Sequence, residues 1–176
     1  MVSSSSVRNW AIASVIAGLL VGVGYSIPWF FASDASSVKI AGSGWQGLAS
    51  MIQAFQQGSA SFLVALLLAL FLFLPLAALF FLTIGALGLT GRAARWMALT
   101  QIVVACVGVV ALALGVGFIE LIFYALANFD VPNPNAALIP GVGVLLMVAG
   151  LLTALVSGIR FLRSGRQRAG GAVPAN

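Results

Sequence analysis

SFLVALLLALFLFLPLAALFFLTIGALGL, from Ser61 to Leu89, contains no charged side chain. A helix needs roughly 20 such residues to cross the hydrocarbon core of a bilayer, about 30 Å thick. The stretch lacks the in–out alternation of a membrane β-barrel strand. It reads as a transmembrane helix with a proline, Pro75, near its middle. A proline there withholds one backbone N–H and crowds the preceding turn, so a kink is expected.

Three further stretches have the same character. They run from about Trp10 to Phe31, from about Trp96 to Leu126, and from about Ala137 to Leu162. The whole composition agrees. Of 176 residues, 62% are hydrophobic and 6% are charged, with a mean hydropathy of +1.16. A soluble domain of this size carries roughly 25% charged residues. Both a soluble globule and a disordered chain are excluded. The expected fold is an all-α integral membrane bundle of four helices, residues 1–163, followed by a polar tail, 164–176. The first span is longer than the roughly 7–15 apolar residues of a signal peptide. That length favours a retained helix over one cleaved near Ser33-Asp34-Ala35.

Basic residues orient the spans. Arg8 precedes the first, Arg92 and Arg95 lie between the second and third, and Arg160, Arg163, Arg166 and Arg168 close the fourth. With four spans these seven share one side, and only Lys39 lies on the other. Both termini are therefore expected in the cytoplasm. The pI near 10.8 is assigned to orientation and to anionic lipid headgroups at the cytoplasmic face, not to nucleic acid.

The remaining features concern contacts. Trp45, Leu48, Ile52 and Phe55 fall at i, i+3, i+7 and i+10, with Gln46, Ser50, Gln53 and Gln56 mostly opposite. This predicts a short amphipathic helix in the first extracytoplasmic loop, suited to the membrane surface or to a partner. Gly18 and Gly22, Ala111 and Gly115, and Gly150, Ala154 and Gly158 repeat the four-residue spacing that lets membrane helices approach closely. Gln101 and Thr83 are expected to hydrogen-bond between helices. Trp10, Trp29 and Trp96 fall at span ends, as an interfacial belt does.

Glu120 is the only acid in an apolar run. It lies about 36 Å from Trp96 along a helix, which puts it at the outer interface within reach of water or Lys39. There it is a candidate ion or proton site. Arg160, Arg163 and Arg166 recur every three residues where the fourth span ends, and they read as a cytoplasmic anchor.

The inventory starves catalysis. Histidine is absent, Cys106 is the single cysteine, and Asp34, Glu120 and Asp130 are the only acids. Histidine-held haem or zinc, a serine–histidine–aspartate triad, a paired intramembrane acid and a phosphate-binding glycine loop all lack their residues. No cofactor or metal is expected. The topology resembles four-span proteins of the claudin and peripheral-myelin type, and Gly44-Trp45 and Gly47-Leu48 echo their outer-loop tryptophan motif. The resemblance is one of topology, and the paired loop cysteines of that family are missing. The abundance of alanine and glycine is typical of bacterial four-span proteins.

These observations favour a non-catalytic protein acting by association, as an accessory, assembly or stabilising subunit beside other integral membrane chains. The alternatives are a small transporter or channel component, with Pro75 as hinge and Glu120 near the outer mouth, and a lipid-binding protein.

Overall fold

The computed structural model describes residues 4–34, 37–40, 42–57, 62–91, 95–130 and 137–170. Only the backbone is described at 4, 31–34, 37–40, 54, 62–64, 122–130, 137–139 and 165–170. Five helices dominate: α1 Ser4–Ser26, α2 Gly44–Gln56, α3 Phe62–Leu89, α4 Arg95–Asp130 and α5 Val142–Gly170. Four of them, all but α2, are long and apolar enough to cross a membrane. Strands β1 (Phe30–Asp34), β2 (Ser37–Ile40) and β3 (Ala137–Pro140) form a small antiparallel sheet in the order β2-β1-β3.

The sheet corrects two span boundaries. The first helix ends at Ser26 rather than Phe31, and the last begins at Val142 rather than Ala137. Pro28 and Pro140 bound the change: a proline cannot continue a helix that precedes it, and it pushes the residue before it, here Ile27 and Ile139, toward extended backbone. Phe30 and Phe31 are apolar enough to extend the first span, but they pair instead with Pro140 and Ile139 of β3. The α1 exit is thus tied to the α1–α2 connection through β2 and to the α4–α5 connection through β3. Trp29 donates its N–H to Gly42 (3.1 Å) and accepts from Gly141, and the Pro28 carbonyl accepts from Gly143 (3.2 Å). At its far end α5 continues as helix through the residues read as tail, as far as Gly170. Residues 131–136 and 171–176, which include most of the second outer loop and the end of the tail, lie outside the described residues.

The four long helices run alternately up and down in the cyclic order α1, α3, α4, α5. Helix α1 packs most extensively, against α3 on one side and α5 on the other. Small residues make this possible. A Cβ on Gly18 would stand 2.8 Å from the Ala78 carbonyl of α3, and one on Gly150 would stand 2.8 Å from the Ala17 carbonyl of α1. Gly85 meets Ala11 in the same way, and Gly24 faces Gly143. At the end of α3, Gly91 adopts φ +80° and donates to the Gly88 carbonyl, a left-handed cap that glycine adopts without strain.

Two tryptophans depart from the expected belt. Trp10 and Trp29 are each 3% exposed and belong to the core, whereas Trp96 is 60% exposed. Trp10 packs on Phe161 with ring centroids 4.9 Å apart, and Trp29 stacks on Phe71 at 5.4 Å. In each case a ring on a neighbouring element offers more contact than the interface does.

Position 18 provides a direct test of the α1–α3 contact. Gly18→Ala should lower stability by about 1–3 kcal/mol, the usual cost of overpacking. Gly22→Ala should be near neutral, since its Cβ would sit 3.8 Å from the Ala78 Cβ. Equilibrium unfolding in mixed detergent micelles measures both; equal losses would contradict the packing described.

Candidate functional site

Two places in the bundle bring polar and aromatic groups together, one at each end, with a buried polar knot between them.

Toward the end of the bundle opposite Arg160, Pro75 sets the chemistry. Lacking an N–H, it leaves the carbonyl of Phe71, four residues earlier, without its helical partner. In lipid such a carbonyl must find another donor. Tyr25 of α1, fully buried, supplies it: its hydroxyl donates to the Phe71 carbonyl at 2.8 Å. Helix α3 remains continuous through Pro75. Around this bond the Tyr25 ring meets Trp29 and Trp45 edge-on, at 5.5 and 5.0 Å.

Helix α2 covers the cluster. Gly44 lies against Tyr25 and Gly47 against Phe71, so closely that no side chain fits at either position. Trp45 Nε1 donates to Ser26 Oγ (3.1 Å), and the Ser43 N–H donates to the Gln46 side chain (2.9 Å) at the start of the helix. Of the four residues predicted to share an apolar face, Leu48 alone is buried; Trp45, Ile52 and Phe55 are 51%, 40% and 46% exposed. The two glycines, one turn apart, bring the helix close enough for Leu48 to be buried and for Trp45 to reach Tyr25 and Ser26.

Midway, Gln101 of α4 is fully buried. Its amide donates to the Ala154 carbonyl (2.8 Å) and to Ser157 Oγ (2.9 Å) of α5, and its oxygen lies 3.1 Å from Ser14 Oγ of α1. The interhelical role expected of Gln101 is what the structure shows. Thr83 differs: it is exposed and donates to Leu79 of its own helix (2.8 Å). Ser14 and Ser157 were not singled out in the sequence, because serine is common in membrane helices and neither position is unusual by itself.

The basic end holds a groove of about 600 Å³ between α1 and α5. Trp10 and Phe161 wall it, Arg160 lines it, and Ser6 and Ser164 meet across it at 3.2 Å. Arg160 and Arg163 are exposed, and neither guanidinium forms an ion pair or hydrogen bond among the described residues. Arg166 lies on the same helix, with its side chain outside the described residues.

The glycines proposed as partner contacts face inward. Gly18 and Gly22 pack against α3, Gly150 against α1, and Gly158 against Ile102 and Ala98 of α4. Bulky substitution there disturbs the bundle before it reaches any other protein. Gly115 has open space instead. Glu120 is exposed on α4; the Lys39 side chain suggested to meet it lies outside the described residues. Among the described residues no group of three or more His, Cys, Asp or Glu is placed to hold a metal.

No protein-family model, curated protein or solved structure matches the chain.

The Tyr25–Pro75 relation can be isolated by a double-mutant cycle. Tyr25→Phe should cost about 1–2 kcal/mol, because the Phe71 carbonyl is left buried and unpaired. In a Pro75→Ala background the new backbone N–H serves that carbonyl, and the same change should cost about 1 kcal/mol less. Unfolding in detergent reads the difference, and additivity of the two changes would exclude the relation. Gln101→Leu is expected to lose only about 1 kcal/mol, since Ser14 and Ser157 retain the Trp10 and Ala154 carbonyls of their own helices.

Proposed function

We propose that this chain is a non-catalytic, multi-pass membrane protein that works by association, as an accessory or stabilising subunit of a larger membrane assembly. The observation that carries the reading is the state of α2. The helix is anchored to the bundle by close glycine contacts and the Trp45–Ser26 hydrogen bond, yet Trp45, Ile52 and Phe55 remain exposed. An anchored helix with exposed large apolar residues, lying outside the spans, offers a rigid surface to an interface or a neighbouring chain. Seven of eight basic residues on one side support a placement with both termini in the cytoplasm, in a bacterial cytoplasmic membrane. The scarcity of polar side chains in the spans weighs against a water-lined path, and so against the transporter reading.

The test is the native mass of the protein after gentle extraction from its own membrane, with co-purifying chains identified. Stoichiometric partners are expected, and Ile52→Ser combined with Phe55→Ser, at two exposed positions that take no part in the anchoring contacts, should release them while the bundle stays folded. A lone monomer, or partners indifferent to those changes, would reject the proposal.

A further inference from the structure

We propose that the groove between α1 and α5 is a binding site for a single anionic phospholipid, with its phosphate on Arg160 and one acyl chain along the groove. The inference is independent of the association reading.

The groove changes character along its length. Its inner part is lined by Ala13, Leu152 and Val156, and its outer part by Asn9, Arg160 and Ser164. From Leu152 to Ser164 the helix rises about 18 Å. Leu152 to Val156 covers about 6 Å of this, so the first few methylenes of an acyl chain can lie against them while the headgroup reaches the polar end and the rest of the chain continues into the bilayer. Leu152 and Val156 are each about half exposed, so the apolar part opens to the surrounding hydrocarbon and a chain can enter sideways. Each buried methylene contributes about 0.8 kcal/mol relative to water, but lipid is already apolar. Selectivity must therefore come from the polar end.

That end is uniformly cationic. Arg160 lines it, and Arg163 follows three residues later on an adjoining face, also exposed. The acids of the chain are Asp34 in β1, and Glu120 and Asp130 in the far half of α4, all toward the opposite end of the bundle. Among the described residues no acidic side chain stands beside these guanidiniums. A guanidinium binds a phosphate through two parallel hydrogen bonds, with a geometry that an ammonium does not match. Asn9 makes no hydrogen bond among the described residues, leaving its amide free beside Arg160. A zwitterionic headgroup would bring its own cation to a site that already has Arg160, with Arg163 one turn away. A net-negative headgroup such as glycerol phosphate fits this charge pattern.

The experiment measures lipid retention by the full chain in bilayer nanodiscs of phosphatidylcholine doped with phosphatidylglycerol, read by native mass spectrometry. One phosphatidylglycerol should remain bound preferentially. Arg160→Gln should lower that preference about tenfold, the equivalent of one charge-assisted contact. Arg95→Gln, which removes an exposed charge from α4 outside the groove, should leave it unchanged. Val156→Trp, which fills the apolar part without altering charge, should lower it as well. The proposal is overturned if Arg95→Gln costs as much as Arg160→Gln, because binding would then be diffuse attraction. It is equally overturned if Val156→Trp has no effect, or if inorganic phosphate displaces the lipid, because the site would then recognise a free anion.

Discussion

Two helices in hydrocarbon gain nothing by excluding lipid from between them, so their attraction depends on how closely their backbones approach. Everything in this bundle is arranged around one helix that is approached closely on two sides. Gly18, Gly85 and Gly88 set the distance between α1 and α3; Gly24, Gly143 and Gly150 set it between α1 and α5. The closeness has further effects. It brings the Tyr25 hydroxyl within reach of a carbonyl on another helix. It also draws α4 near enough for Gln101 to join three helices in one polar knot. Polar groups here act where packing has already placed them.

The four long helices were legible because length and apolarity suffice to define a span. Their ends were not. Phe30, Phe31 and Ala137–Pro140 are as apolar as the helices they adjoin, and a run of four or five apolar residues does not distinguish a strand from a helical extension. Pairing between segments about a hundred residues apart decided it. The tryptophans failed for a related reason. Position at a span end predicts an interfacial ring only when no partner ring stands nearby, and Phe161 and Phe71 are distant in sequence from Trp10 and Trp29.

The candidate sites divide in the same way. The apolar spacing of Trp45, Leu48, Ile52 and Phe55 identified the α2 segment, but not that Gly44 and Gly47 would hold it down. The basic cluster was evident from charge alone, whereas the groove beside Arg160 exists only once α1 lies against α5. The kink expected at Pro75 follows from its own residue type. The donor that relieves it stands on a different helix, so the sequence near Pro75 contains no trace of it.

The central position of α1 also sets an order of events during synthesis. It is made before both of the helices that pack on it, α3 and α5. Gly24 meets Gly143 only after more than a hundred further residues have been made. Ser14 and Gln101 are 87 positions apart. Until α3 and α5 are inserted, α1 stands in the bilayer with its glycine faces uncovered. Contacts of such long range are slow to form. Completion of the packing around α1 therefore waits on α5, and a chain truncated before α5 lacks one of the two faces that enclose α1.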